Sequence, residues 1–431
     1  MDEHLIIADL GYGDAGKGTI VDWLCSRSQV HAVVRYNGGA QAGHNVVTPD
    51  GRHHTFAQFG SGTFWGVPTF LSRFMMVDPL ALAAEHAHLR WLGVPDPFEL
   101  LTVAPEALVT TPYHKAVNRA RERARGAARH GSCGMGVGET ASYAVSHSAA
   151  APRVADCGNP RALRLLLRRL REWVLDEVGP VPTPAVEDVA DAFHAFAGRI
   201  RTGRLPSGGP LVFEGAQGVL LDERYGFHPY TTWSTTTFTN AFLLLGEAGA
   251  GDAKRMGVLR TYATRHGAGP FVTEDPALTL PERHNATGEW QGAFRVGHLD
   301  LVATRYAVRV CGGVDELALT HLDVAEEHRE LRVCRAYDQQ VRLTPGDLAN
   351  QAALAERLAT ARPVLEPVPG PWPAFVADEL GAPVTVTSSG PTWLDKRVRR
   401  VPRGQRSPGW GQRGHRVQRK TVATAAGAPS W

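Results

Sequence analysis

Residues Leu5–Leu24 read LIIADLGYGDAGKGTIVDWL, an apolar run that breaks into a glycine-rich turn and resumes with helical spacing. The pattern predicts strand, phosphate loop and helix. Gly11, Gly13, Gly16 and Gly18 have no Cβ to hold a phosphate off the backbone N–H groups, and the following helix N-terminus adds a favourable dipole. Lys17 supplies a point charge. The spacing Gly11-x4-Gly16-Lys17 is that of a P-loop, except that Gly18 stands where a Ser or Thr hydroxyl binds Mg²⁺, with Thr19 one residue late. Asp14, inside the loop, is the nearest hard oxygen donor for that metal. A carboxylate among phosphate-binding amides is unfavourable unless a cation, a proton or a catalytic task accounts for it.

The chain has 431 residues, a formal charge of +3 and 46 Lys and Arg, some of them concentrated in the tail. So even a balance demands no nucleic-acid partner. No apolar stretch reaches the ~20 residues of a membrane span, and the chain enters its first strand almost at once, so neither a transmembrane helix nor a secretory signal is expected. Cys25, Cys133, Cys157, Cys311 and Cys334 are scattered without a CxxC pair. Reduced thiols in a cytoplasmic enzyme fit this pattern better than a zinc site.

Further along, His31–Tyr36 reads as a second strand, followed by the turn NGGAQAGHNVV, in which Gly38, Gly39 and Gly43 mark close backbone approach and His44 stands last before an apolar pair. Helices are expected over Pro79–Leu92, Tyr113–Ala128 and Ala162–Glu177, with another inside Pro180–Arg204. Between them HGSCGMGVGETASYA, His130–Ala144, is a second backbone-donor loop. Pro210–Gly218 reads as a buried strand ending in a polar turn with Glu214 and Gln217, and a Thr cluster follows, a placement that matches where open α/β sheets bind ligands. Met256–Glu274 repeats strand and turn, Val314–Val324 ends a strand at His321 and Asp323, and Thr385–Pro391 forms the last strand and turn. The segment 396–431 is basic, rich in Gly and Pro and without periodicity, and is expected to be disordered and dispensable.

Together these motifs resemble the adenylosuccinate synthetase family. GDAGKG is similar to its GDEGKG loop, RYNGGAQAGHNVV to R-x-x-GG-x-x-AGH, FEGAQGVLLD to the EGAQG strand, YATRHGAGPFVTE to TR-x-GAGPFPTE, and LTHLDV to the TKLD base-reading loop. The matches run in family order through residues 5–395. The resemblance implies a single α/β domain over residues 1–395 around a large, mostly parallel sheet, usually as a homodimer. It also implies a ligase that phosphorylates the 6-oxo group of IMP with GTP and Mg²⁺, after which L-aspartate displaces phosphate. By resemblance Asp14 is the catalytic base and a metal ligand with the Gly43 carbonyl, and His44 bonds the transferring phosphoryl group. Gly13, Gly16, Lys17, Gly18 and Thr19 cradle nucleotide phosphates, while His321, Asp323, Ser389, Gly390 and Pro391 meet the donor base. Gln41, Cys133, Gln217 and Thr232 fall where the nucleotide substrate is held.

Several positions depart from the family pattern. GTTGRGIGP is here GSCGMGVGE, the arginine that reaches across the dimer aligns with His147, and the base-reading lysine is His321. The arginine-rich TGRRRR loop that clamps aspartate becomes Thr287-Gly288-Glu289-Trp290-Gln291-Gly292-Ala293-Phe294-Arg295, with one arginine. Arginine forks are the natural readers of a dicarboxylate, and Lys or His replaces them poorly. Two enzyme readings follow: a loop rebuilt around aspartate with Arg295, Arg265 or Arg305 taking over, or a paralogue with another purine or amine and GTP or ATP as donor. A silent nucleotide-binding regulator is a third reading, against which Asp14, Lys17 and His44 argue, because a binder needs no base. Nucleic-acid binding through the basic tail is a fourth.

Overall fold

In the computed structural model, which describes residues 3–126, 129–285 and 287–399, the run HLIIAD forms the strand His4–Asp9 at the centre of a ten-stranded sheet. Successive side chains of a strand point to opposite faces, so one apolar run can serve two cores. Ile6 and Ala8 join Phe213, Leu317 and the helices Thr239–Ala248 and Leu301–Val310 on one face. Leu5 and Ile7 join Val33, Val212 and the helix Lys17–Arg27 on the other.

From edge to edge the sheet runs Lys396–Val398, Val384–Ser388, Glu316–Thr320, Ala253–Arg260, His4–Asp9, Leu211–Glu214, Ala32–Arg35, Thr69–Leu71, Leu101–Val103 and Arg201–Thr202. Every neighbouring pair is parallel except the first. The carboxyl ends of the central strands therefore open on one side, and the phosphate loop leaves from the middle of that row. A third core gathers the helices Pro79–Trp91, Pro112–Arg125, Pro160–Val178 and Val186–Ala197 beside the hairpin His44–Val47/His53–Phe56.

Three of these helices begin at a proline preceded by a side-chain cap. Asp78, Thr111 and Asn159 each accept a backbone N–H from the first turn, which leaves proline the position where its missing N–H does no harm. The sequence expectation placed two of these starts one or two residues late because it did not read the caps. The end of the expected Tyr113–Ala128 helix, residues 127–128, lies outside the described residues.

Two other expectations change. The single strand expected in MGVLRTYATR breaks at Thr261, whose N–H bonds to the Thr320 carbonyl; the chain then leaves the central sheet and enters a second sheet of Tyr262–His266, Phe294–Asp300, Arg332–Tyr337 and Pro363–Pro367. The expected disordered tail begins too early as well. Lys396–Val398 pairs antiparallel with Val386–Ser388, and the Lys396 side chain is buried; residues 400–431 lie outside the described residues. Among the described residues no helix is long and apolar enough to cross a membrane.

Candidate functional site

The phosphate loop is shaped by a carboxylate that its glycine spacing does not mark. Asp9, the last residue of the central strand, is buried, and its Oδ1 accepts N–H groups from Gly11 at 2.8 Å and Gly13 at 3.3 Å. Its Oδ2 accepts from Ala15 N–H at 2.8 Å and from Lys17 Nζ at 3.2 Å. The polar residue ending an otherwise apolar strand was the available signal.

Neighbouring strand ends pin the loop further. Arg260 Nε donates to the Asp14 carbonyl at 2.6 Å, and Thr320 Oγ1 to the Ala15 carbonyl at 2.8 Å. A Cβ on Gly218 would overlap Gly11 and Gly13, so the turn after Glu214 interlocks with the loop only as glycine. The departure at Gly18 has a steric reason too: a Cβ there would lie 2.7 Å from His44 Cβ and 3.0 Å from Ser61 Oγ. A P-loop Ser or Thr at this position would push His44 away.

Three non-glycine residues have left-handed backbones among the described residues: Asp14 at φ 61°, Gln217 at φ 55° and His321 at φ 58°. Each follows a different central strand, and all three line one cleft of about 750 Å³. Left-handed conformations in non-glycine residues persist only where their surroundings over-determine them, and they cluster at functional sites.

His44 opens the hairpin and is buried, with Nδ1 donating to Glu214 Oε1 at 2.6 Å. Glu214 also accepts the Ser61 N–H at 3.0 Å and the Ser61 hydroxyl. Burial opposes its charge, but His44, Arg35 and Ser61 hold its carboxyl down to about 2. Burial lowers the His44 imidazole to about 4 against the pull of Glu214. His44 Nε2 is buried without a partner. The Asp14 carboxyl is raised by burial, against the attraction of His266, Arg260 and Lys17; His266 Nε2 stands 3.8 Å from Asp14 Oδ2.

The cleft is lined by Gly13, Asp14, Gly16, Lys17, Gly18 and Thr19 from the loop, and by Gln41, Gly43 and His44 from the second turn. Cys133, Gln217 and Thr232 line it further along, and His321, Asp323, Gly390 and Pro391 lie at its other strand ends. Gln41 has both amide atoms buried and unpartnered, as do Gln217 Oε1 and Asp323 Oδ1. Such atoms take a partner from a ligand or from water in the cleft. Asp14 and Gly43 both line this cleft, and a single carboxylate there suits Mg²⁺, which usually takes one or two carboxylates and completes its shell with water and substrate phosphates.

Four expected residues stand elsewhere. Ser389 is exposed and its neighbour Ser388 lines the cleft, because alternation along the strand turns successive side chains to opposite sides. His147 is exposed, stacks on Tyr143 at 4.6 Å and lies away from its own chain's cleft. Thr287 is exposed at the start of a tight turn closed by mutual bonds between Gly288 and Gly292. Arg295 is turned away, its guanidinium on Glu274 Oε2 at 2.7 Å and the Gly269 carbonyl at 3.0 Å.

From the rebuilt segment 287–295 only Gln291 lines the cleft. Trp290 packs against Gly134 beneath Arg119 and Arg123, whose guanidinium carbons lie 5.6 and 5.0 Å from its ring. The lining arginines Arg121, Arg125 and Arg260 are paired with Glu139, Glu122 and Glu282, and Arg265 donates to the carbonyls of Ala268, Pro270 and Tyr230. Arg283 is the one lining arginine among the described residues without such a partner.

The adenylosuccinate synthetase family model matches residues 6–379. The adenylosuccinate synthetase of Acidithiobacillus ferrooxidans is 35% identical over 392 residues, covering 86% of this chain and 88% of its own. That of Neisseria gonorrhoeae strain FA 1090 is 31% identical over 435 residues, covering 91% and 97%. Among solved structures, the fully ligated adenylosuccinate synthetase of Plasmodium falciparum superposes with a TM-score of 0.77 at 21% identity, over 92% of this chain and all of that one. The cyanophage S-2L succinoaminodeoxyadenylate synthetase PurZ, bound to dGMP and to dATP as an energy donor, gives 0.56 at 20% identity, over 92% and 95%.

Proposed function

The chain belongs to the adenylosuccinate synthetase family, C–N bond-forming ligases that join aspartate to IMP at the expense of GTP, and from that premise we propose that it carries out this two-step reaction in the cleft described above. The observation that carries the reading is the convergence of Asp14, Lys17 and His44 on one cleft, with His44 Nε2 buried and unpartnered.

In the first step Asp14 takes the N1 proton of the 6-oxopurine, and O6 attacks the γ-phosphorus, releasing the nucleoside diphosphate. A carboxyl raised by burial is a better base than a free one, and its left-handed backbone is held by Arg260. His44, which burial lowers to about 4, is neutral at pH 7. A phosphoryl group arriving opposite Nε2 favours the protonated ring, whose second N–H Glu214 already accepts, so the imidazole becomes a donor where charge develops. In the second step the amine nitrogen attacks C6, the C6–O bond breaks, and phosphate leaves with the former O6, taking up the proton that the amine gives up. Asp14 and the Gly43 carbonyl would hold Mg²⁺, which neutralises phosphate charge when bound.

The unpartnered Asp323 Oδ1 favours GTP, because a carboxylate accepts the N–H groups on the guanine edge and faces only an acceptor at adenine N1. A homodimer in the cytoplasm completes this reading, with exposed His147 available to a partner's cleft. The orientation of Arg295 favours a second reading, in which the amine or the purine differs from the family's; GTP or ATP can serve as donor in it, as dATP does for the cyanophage protein.

The test is phosphate release by the purified chain with Mg²⁺ and GTP or ATP, across 6-oxopurine nucleotides, with and without aspartate, and with Asp14→Ala as control. Release that needs IMP, GTP and aspartate and is lost in the control supports the first reading. Asp14-dependent turnover only with another base or amine replaces it with the second.

A further inference from the structure

Lys396 opens the segment whose composition reads as tail, yet it is 2% exposed and its Nζ donates to two carbonyls, Gly390 and Thr392, each at 2.8 Å. Those carbonyls bracket the turn after the strand Val384–Ser388, and Gly390 and Pro391 line the cleft. The turn is tied down from other sides. Asp395 Oδ2 accepts the Thr392 N–H at 2.8 Å and the Thr392 hydroxyl at 2.7 Å, and Thr19 Oγ1, from the phosphate-loop helix, donates to the Pro391 carbonyl at 2.9 Å. Trp393 meets Trp65 edge-on at 5.7 Å, and Trp65 Nε1 donates to Asp22 of the same helix at 2.8 Å. A cation buried on backbone carbonyls persists only where its hydrogen bonds offset lost hydration.

We propose that Lys396 is a positioning residue for the donor nucleotide, holding the Gly390–Thr392 turn in the shape that receives the base while Thr19 ties that turn to the phosphate loop. The proposal rests on the donor-site reading given above. It accounts for a lysine kept dry at an edge strand, and for a turn whose position is set from both the base and the phosphate ends. The charged groups facing the ammonium are Asp395 in the turn, Asp22 in the helix Lys17–Arg27 and Asp323 in the helix Leu322–Glu327. Burial lowers Lys396 to about 8 in spite of them. Its charge, which strengthens both carbonyl bonds, is therefore present at neutral pH and lost as pH rises through about 8.

The experiment compares the full chain with Lys396→Met, which keeps the length and apolar stem of the side chain. Calorimetric titration with GTP and with ATP in Mg²⁺ would be run between about pH 7 and 9, beside kcat and donor KM. The expected result is about tenfold weaker donor binding by the variant at neutral pH, equivalent to ~1.4 kcal/mol, with kcat at saturating donor little changed. Donor affinity of the native chain should decline across that window, while the variant stays flat. Native-like binding by Lys396→Met, or a native chain whose affinity does not decline through about pH 8, overturns the proposal; the second readout needs no variant to fold. A native chain that binds neither nucleotide removes the donor-site reading itself, and the proposal with it.

Discussion

Asp9→Asn sets two effects of the same carboxylate against each other. Asparagine retains one oxygen, so whichever way the amide turns, its NH₂ faces either the Gly11 and Gly13 N–H groups or the Ala15 N–H and the Lys17 ammonium. Two donors lose their acceptor in a residue that is 1% exposed. Hydrogen bonds to charged groups are worth roughly 1.5–3 kcal/mol each, so the gross loss is about 3–6 kcal/mol, trimmed towards 3 as the loop relaxes. With a urea m-value of about 3 kcal/mol/M, the unfolding midpoint should fall by roughly 1 M. The opposing effect is that Lys17, released from Asp9, has its charge free for a phosphate. Loop disorder should win, because Asp14 and the phosphate-facing amides depend on the same scaffold; donor affinity should fall at least about tenfold and kcat by more. Calorimetric titration with the donor, urea unfolding and phosphate-release kinetics read the three quantities. A variant of native stability that binds the triphosphate more tightly would refute the reasoning and make Asp9 only a restraint on Lys17.

Gly18→Ala should remove most turnover while leaving the fold recognisable, because the new methyl meets His44 Cβ and Ser61 Oγ; kcat within a factor of about three of native would contradict a required His44 position. Asp22, buried with Oδ2 unpartnered, is raised by burial to about 6, so the folded chain binds this proton more readily than the unfolded one and stability is lost as pH rises from about 4 to 6. Asp22→Asn keeps the acceptor for Trp65 and should raise stability above pH 6 by up to ~3 kcal/mol, a gain that disappears near pH 4; urea midpoints at both pH values decide it. Arg283→Ala should raise the KM of the carboxylate-bearing amine by about tenfold or more with little change in donor KM, since the other lining arginines are already engaged. An unchanged amine KM would show that the carboxylate is held elsewhere.

The legible parts of the fold were those written in local patterns. HLIIAD, its glycine turn and the next helix state their own geometry through β-branched runs and absent Cβ atoms; the strand-end turn holding Gln217 is marked by Gly215 and Gly218, and the one holding His321 by polar His321 and Asp323 closing an apolar run. The second sheet was not legible, because the break at Thr261 depends on a bond to Thr320 some sixty residues away and leaves no local mark. Asp9 was passed over because its role lies in the direction of four donors rather than in spacing. Composition places Lys396 in the tail, although three residues of that segment complete the sheet. Position makes Arg295 a candidate clamp, and Glu274, with which it pairs, is distant enough in sequence to hide the pairing.

The left-handed conformations of Asp14, Gln217 and His321 also bear on engineering. Each is disfavoured by about 1–2 kcal/mol relative to glycine, which enters that region freely. A search for heat-resistant variants that scored only survival of the fold should therefore return glycine at these three positions early. Each such gain would remove a side chain that faces the cleft, so thermal tolerance and turnover are set to diverge at these three sites before they do elsewhere in the chain.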